Sequence, residues 1–483
     1  MKLLIPGSYS SSFLESMATK IAFNSDDKIV DQNACVEQIN VKDLEKYFDV
    51  DKIVQYILQG KYSVIALQFP DELMTYSTSI ASELKSKTEA QIFVLADTSY
   101  GSCCVDEVAA SHYNADLIIH FGQSCLSNTG KIAVYYSFGK ELIDIDVLLS
   151  KLGERFTPDD KILVLYDVQY DYPINSNLDV VKKNFQNASI SCLNLCNSSE
   201  IADNVTIKFG RVYTLTHSIE EYTLVFIGSN ERTLYNTIVS YPRNTVYSYD
   251  VKLEKLQKED LNVNKYLMRR FYLIEKAKDA QIVGIVMGTL GVARYNDMVN
   301  RLKSILKQSG KKFYTFIIGK INPAKLANFM EIDMFVLVAC PENSLLDSKE
   351  FYKPIITPYE MEMACLSGRS WSGDVVTDFR ELLSGSKRFV ELDGENDGKD
   401  KKPEYSLITG KLRNNNTMSE PLCTDVATRN ESNSLVASSA RNASEYLASR
   451  TWQGLQIDSG KTEVKLAVEG RSGIAMNYKN EKE

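Results

Sequence analysis

Histidine is scarce in this chain: His112, His120 and His217 are all it has. Too few of them stand near carboxylates or cysteines for the ligand pattern of a zinc hydrolase. No run of about eighteen apolar residues occurs, so a membrane span is not expected. The apolar opening from Met1 to Ile5 is too short for a signal-peptide core and is cut by Pro6. Clustered Lys and Arg are also missing. With 55 basic and 63 acidic residues the net charge is −8, which argues against nucleic acid as a partner, because phosphate neutralisation needs a basic stripe. These absences predict a cytoplasmic protein bound to neither membrane nor nucleic acid. In that compartment the nine cysteines are expected as reduced thiols or metal ligands, not disulfides. They form no Cys-x-x-Cys and no Cys-x3-Cys-x2-Cys motif, so no local signature names a metal.

What is present is a pattern of short aliphatic runs in sets of four. The first set is Val64 to Leu67, Ile92 to Leu95, Leu117 to His120 and Ile132 to Tyr136. The second is Ile162 to Leu165, Ser189 to Leu193, Leu224 to Ile227 and Val246 to Tyr249. The third is Ile282 to Val286, Phe313 to Ile318, Phe335 to Val338 and Pro354 to Ile356. Continuous apolar runs suit strands buried on both faces of a parallel sheet. Helical patterns lie between them. Leu73, Tyr76, Ile80 and Leu84 share a face, as do Met298, Leu302, Ile305 and Leu306 before Gly310. Asn322-Pro323 reads as an N-cap followed by proline at the first helical position. The expected fold is therefore α/β: three similar domains with mostly parallel sheets, a triplication with pseudo-three-fold arrangement.

The expected layout is an N-terminal extension (1–55), α/β domains at 56–155, 156–260 and 261–386, a low-complexity linker (387–445) and a C-terminal docking arm (446–483). The linker is rich in Asn, Ser and Thr and cannot bury enough apolar area to offset the entropy of ordering. The arm regains apolar residues and carries Trp452.

Ligands of open α/β sheets sit beyond the carboxyl ends of strands, and cysteines fall there. Cys103 and Cys104 follow the second strand of the first set, Cys125 follows its third strand, and Cys340 follows the third strand of the last set. Thiolates on loops above a sheet can converge on an iron–sulfur or zinc centre. A small buried hydrophobe is the competing reading of each, and Cys365 is an alternative ligand in the third set. Cys192 and Cys196 form a Cys-x3-Cys pair without a third member. Cys35, Cys196 and Cys423 read as structural. Gly288-Thr289-Leu290-Gly291 follows a strand and would let a backbone approach a phosphate or carboxylate, or is an ordinary tight turn. His120 reads as a core or hinge residue, and Tyr100 and Trp371 as partly buried aromatics.

Several ordered stretches resemble the diphthamide synthase subunit 1/subunit 2 family. Ala66-Leu67-Gln68-Phe69-Pro70-Asp71, Asp97-Thr98-Ser99-Tyr100-Gly101-Ser102-Cys103-Cys104-Val105-Asp106 and His120-Phe121-Gly122-Gln123-Ser124-Cys125-Leu126 are similar to its first domain. Gly288 to Ala293, Pro323 to Phe329 and Val338-Ala339-Cys340-Pro341 are similar to its third. Ser406 to Gly410 and Arg450 to Leu455 resemble the tail of its second subunit. The likeness runs from about residue 60 to about residue 478.

The resemblance implies a heterodimer with diphthamide biosynthesis protein 1, each chain built of three α/β domains. It implies transfer of a 3-amino-3-carboxypropyl group from S-adenosylmethionine to a histidine of elongation factor 2, using a [4Fe–4S] cluster held by three cysteines. Carried over residue by residue, the ligands are Cys104, Cys125 and Cys340, with Cys103 alternative to Cys104. The family's middle-domain cysteine corresponds here to Phe209-Gly210-Arg211-Val212, which has none. The resemblance therefore implies an accessory role: keeping the cluster of the first subunit reduced, with the small electron donor diphthamide biosynthesis protein 3 as the source. Two other readings stand beside it, a subunit that cleaves S-adenosylmethionine itself and a metal-free scaffold.

Overall fold

The computed structural model describes residues 44–96, 101–195, 205–259, 263–319, 321–346, 351–366, 369–386, 388–392 and 405–410, and four two-residue strands beyond them. The chain divides into two compact units, Met1–Thr417 and Met418–Glu483. In the second, Thr428–Arg429 pairs antiparallel with Leu435–Val436, and Gly473–Ile474 with Asn477–Tyr478. Trp452 and most of the expected linker and arm lie outside the described residues.

Among its described residues the first unit contains three main sheets. In the first, β1 (Val64–Gln68), β2 (Gln91–Leu95), β3 (Leu117–Phe121) and β4 (Ala133–Ser137) run parallel in the order β2-β1-β3-β4. All five residues of β3 are buried, which is why its sequence is apolar without alternation. Ile65, Leu67, Ile119 and Phe121 face one core, while Ala66 and Ile118 face another. Helix Val50–Gly60 sends Val50, Ile53 and Ile57 into the first of these, at the spacing that aligns side chains on one helical face. Leu44 and Phe48 join that core. The pattern after Pro70 is a 3-10 turn, Asp71–Tyr76, followed by helix Ser77–Lys87, which buries Ile80 and Leu84.

The middle segment has β5 (Ile162–Tyr166), β6 (Ser189–Ile190), β7 (Cys192–Leu193), β8 (Val205–Lys208), β9 (Arg211–Thr214), β10 (Thr223–Ile227), β11 (Val246–Asp250) and β12 (Lys255–Lys258). Its main sheet has the order β12-β11-β10-β5-β6, with β12 antiparallel at the edge. The run expected as one strand from Ser189 to Leu193 is split. Ser189 and Ile190 pair with β5, whereas Cys192 and Leu193 join an antiparallel sheet of order β7-β9-β8.

The third sheet holds β13 (Ile282–Met287), β14 (Lys312–Ile317), β15 (Met334–Val338) and β16 (Ile355–Ile356), parallel, in the order β14-β13-β15-β16. Helix Tyr295–Gln308 buries Met298, Leu302, Ile305 and Leu306 against it. Gly310 follows at φ 67, the left-handed geometry that ends helices. Asn322 caps helix Pro323–Ala327 by accepting from the Lys325 amide.

Each main sheet thus places its parallel strands second-first-third-fourth by position in the sequence. Connections leave the first and third strands in opposite directions, so the loops above them part and leave a crevice at the carboxyl ends. The cysteine-bearing loops lie there.

Candidate metal centre

The stretch from Gly101 to Cys104, beyond β2, is held by backbone hydrogen bonds. The Cys104 amide donates to the Gly101 carbonyl at 3.0 Å, and the Cys125 amide to the Cys103 carbonyl at 3.0 Å. Gln68, the last residue of β1, donates its amide to the Cys104 carbonyl at 2.8 Å and accepts from the Asp106 amide at 2.9 Å. Asp106 in turn caps helix Glu107–His112. Cys340 sits in the turn after β15, where the Asn343 amide donates to its carbonyl at 3.0 Å. Two loops of the first sheet and one of the third are therefore held at fixed height.

On these loops the sulfurs of Cys103, Cys104, Cys125 and Cys340 all lie within 4.8 Å of one another. Cys103 Sγ is 3.8 Å from Cys340 Sγ, and Cys104 Sγ is 3.8 Å from Cys125 Sγ. All four are buried, among Met287, Val292 and Val338. The three cysteines expected as ligands are brought together, and Cys103, expected as the alternative to Cys104, joins them.

Four thiols so close in an apolar core cannot all ionise, since like charges oppose one another and burial opposes each. Contacts from Cys103, then Cys104 and Cys340, hold the Cys125 thiol well below its usual range, with burial opposing. Contacts with Cys103 and Cys125, and burial, push Cys104 well above it. One thiolate and neighbouring thiols is the arrangement this balance favours. A cation would replace the remaining protons, because soft thiolate donors bind iron–sulfur centres or zinc in deprotonated form. The residues present fit such a group: the donors are all sulfur, with no carboxylate or imidazole among the four.

The remaining cysteines among the described residues stand apart. Cys192 is exposed. Cys365 is half-buried with its sulfur 3.5 Å from Met361 Sδ, outside the group of four. Cys35, Cys196 and Cys423 lie outside the described residues, as does Tyr100. Trp371 packs on the third core with its ring 6.3 Å from that of Phe271. His120 is buried, its ring 5.8 Å from that of Tyr136, and burial drops its pKa to about 4.

The turn Phe209–Gly210, where the resemblance finds no cysteine, does reach the centre. A Cβ on Gly210 would lie 2.3 Å from Leu126 Cβ and 3.2 Å from the Cys125 carbonyl oxygen. The middle segment thus presents backbone to this loop. Arg211 beside it is spent on carbonyls, donating to Tyr166 and Phe209. Across the centre, a Cβ on Gly291 would lie 2.0 Å from the Val105 carbonyl oxygen. Gly288 to Gly291 is thus a close backbone approach to the Cys104 loop, and Thr289 Oγ1 within it is buried without a hydrogen-bond partner among the described residues.

Residues that the cysteine pattern did not point to complete the surroundings. Asn343 donates its side-chain amide to Cys103 Sγ at 3.3 Å and accepts from Arg232 at 2.6 Å. Glu342 is buried, accepts from Thr233 Oγ1 at 3.3 Å, and is raised to about 7 by burial and then by the charge at Cys125. A polar cleft lined by Leu126, Lys208, Phe209, Pro341, Asp378 and Arg380 opens between the loops that follow Cys125 and Cys340.

Fold and site together define a class: an α/β protein that repeats one parallel strand order and gathers thiols from two sheets into a single buried group. The family model for diphthamide synthesis proteins matches residues 69–376, and the chain belongs to that family. A Xenopus laevis protein named 2-(3-amino-3-carboxypropyl)histidine synthase subunit 2 is 40% identical over 478 residues, covering 96% of this chain and 99% of the relative. A Schizosaccharomyces pombe protein of the same name is 40% identical over 466 residues, covering 91% and 92%. Among solved structures, Dph2 from Pyrococcus horikoshii is similar in fold, with TM-score 0.52 and 20% identity over 72% of this chain and 97% of that one. The same archaeal protein with a 4Fe-4S cluster gives TM-score 0.53 and 19% identity over 71% and 96%. No helix among the described residues is long and apolar enough to cross a membrane.

Proposed function

We propose that this chain is the second subunit of a heterodimeric 2-(3-amino-3-carboxypropyl)histidine synthase. In this role it holds a [4Fe–4S] cluster on Cys104, Cys125 and Cys340, with Cys103 as a fourth thiol, and serves to keep the cluster of the first subunit reduced. The four sulfurs within 4.8 Å carry the reading. When bound, such a cluster accepts and releases one electron at a time. The residues of this chain bind it, exclude water from it and set its charge balance. Cys103 adds a thiol from the same loop as Cys104. With four thiols facing the centre and no carboxylate or imidazole among them, the site is suited to holding a closed cluster that passes electrons. The partner would be diphthamide biosynthesis protein 1, the electron source diphthamide biosynthesis protein 3, the protein modified elongation factor 2, and the compartment the cytoplasm.

The heterodimer carrying Cys340→Ser in this chain tests the role. The expected result is less iron and slower turnover with the physiological electron donor, and near-normal turnover with excess dithionite. Equal loss with both reductants would mean that this centre takes part in the chemistry itself. No change in iron or turnover would leave a scaffold. The cleft holding Lys208 and Arg380 favours a second reading, in which this chain binds S-adenosylmethionine. Cleavage of S-adenosylmethionine by this chain with dithionite alone would support it.

A further inference from the structure

Asn343 lies between two groups that fix its direction. An arginine guanidinium only donates hydrogen bonds. The Asn343 atom 2.6 Å from Arg232 Nη1 is therefore the oxygen, and the atom 3.3 Å from Cys103 Sγ is the NH2 group. Asn343 is buried. Arg232 stands in the first turn of helix Glu231–Ser240, which follows β10. The Thr233 hydroxyl and Asn236 amide of that helix bond to Glu342, so helix and turn are joined at several points. A Cβ on Gly101 would lie 2.4 Å from Asn343 Nδ2. The absence of a side chain at position 101 is what lets the amide reach the sulfur.

We propose that Asn343 tunes the electron affinity of the centre: its amide donates to the Cys103 sulfur while Arg232, on the middle segment, polarises that amide. This rests on the proposed iron–sulfur function. A donor aimed at a cluster sulfur stabilises the more negative, reduced state, and hydrogen bonds to sulfur are among the factors that set cluster potentials. A cation on the far side of the amide strengthens the bond. The middle segment, which places no thiol among the four, acts on them through Arg232 and Asn343. Asn343 is thus a positioning residue, acting on the centre through Cys103.

The test is a potentiometric titration followed by electron paramagnetic resonance, on anaerobic heterodimer whose first subunit has its cluster cysteines replaced. With Asn343→Leu, the expected change is about tenfold in the oxidised-to-reduced ratio toward the oxidised form, about 59 mV lower for a one-electron couple. Iron content should be unchanged. Arg232→Leu should shift the potential the same way by less, and Arg232→Lys, which keeps the cation, should restore most of it. If Asn343→Leu loses its iron, Gly101→Ala is the alternative, because its methyl group displaces the amide without removing it, and the same downward shift is expected. An iron-loaded Asn343→Leu, or Gly101→Ala in its place, with the wild-type potential would overturn the inference. Wild-type protein without iron would overturn the proposed function as well, so the two failures are told apart.

Discussion

Cys103 and Cys340, 237 positions apart in the chain, hold their sulfurs 3.8 Å from each other across the loops of two different sheets. The contact exists because β2 and β15 end at the same crevice and because the loops beyond them are fixed by backbone and side-chain hydrogen bonds. A buried pair of thiols needs no metal to be tolerated, since cysteine packs as a small hydrophobe. Two further thiols within the same 4.8 Å make a group whose charge balance changes when a cation arrives.

Single replacements should therefore divide the cysteines sharply. Cys104→Ser, Cys125→Ser and Cys340→Ser are each expected to cut iron content severely in anaerobically purified protein. Cys192→Ser and Cys365→Ser should leave it unchanged, as both sulfurs lie outside the group. Iron and sulfide assay checks this, and retention of full iron by Cys340→Ser would contradict it.

Gly291→Ala places a methyl group against the Val105 carbonyl, where a Cβ would lie 2.0 Å away. Backbone must move to admit it, at a cost of about 1–3 kcal/mol. The movement falls on the residue after Cys104. A lower thermal midpoint together with faster loss of iron to a chelator is expected. A stable variant with normal retention would show that the close approach is not needed.

The ion pair of Arg270 and Glu360 is buried on both sides, the side chains being 0% and 3% exposed. Glu360 also accepts from the Thr357 amide at 2.7 Å, completing a capping box on helix Pro358–Cys365. Glu360→Ala takes the carboxylate away from a buried guanidinium and opens that cap, and should destabilise by about 3–5 kcal/mol. Chemical denaturation measures this. Removing the surface partner in Lys151–Glu154, 2.8 Å apart, should leave the midpoint where it was.

Asp167 ends the path of β5 in a buried position. Burial, partly offset by hydrogen bonds from the Asn230 and Ser229 amides, lifts its carboxyl from 3.8 to about 6. The folded chain then keeps a proton that the unfolded chain releases. Stability from this group is full below about pH 4 and is lost as pH rises through about 6, by about 3 kcal/mol in all. Asp167→Asn should remove that slope. Unfolding midpoints of the metal-free proteins from about pH 4 to about pH 7 test it, and parallel curves would contradict it.

The strands were readable because parallel strands buried on both faces leave continuous apolar runs, as in Leu117 to Phe121 or Met334 to Val338. β12 was not, because Lys255-Leu256-Gln257-Lys258 at a sheet edge keeps only Leu256 half-buried. The break at Ser191 was hidden too: Ile190, Cys192 and Leu193 read as one short apolar run, and only the partners of its two halves differ. At the centre, position after a strand marked Cys104, Cys125 and Cys340. The participation of Cys103 depends on how the Gly101–Cys104 turn folds, which adjacency alone left open. Asn343 carried a weak local cue, three residues after Cys340. Its partner Arg232 had none, because that contact exists only once the middle segment packs against the third.

Everything proposed above rests on this chain holding its own iron–sulfur centre. The most direct measurement is iron content and electron paramagnetic resonance of anaerobically purified, dithionite-reduced heterodimer, with every cluster cysteine of the first subunit replaced by alanine. The expected result is iron and a reduced-cluster signal that disappear when Cys104, Cys125 and Cys340 are replaced here. Protein without iron or signal would contradict it and leave the four thiols as packing.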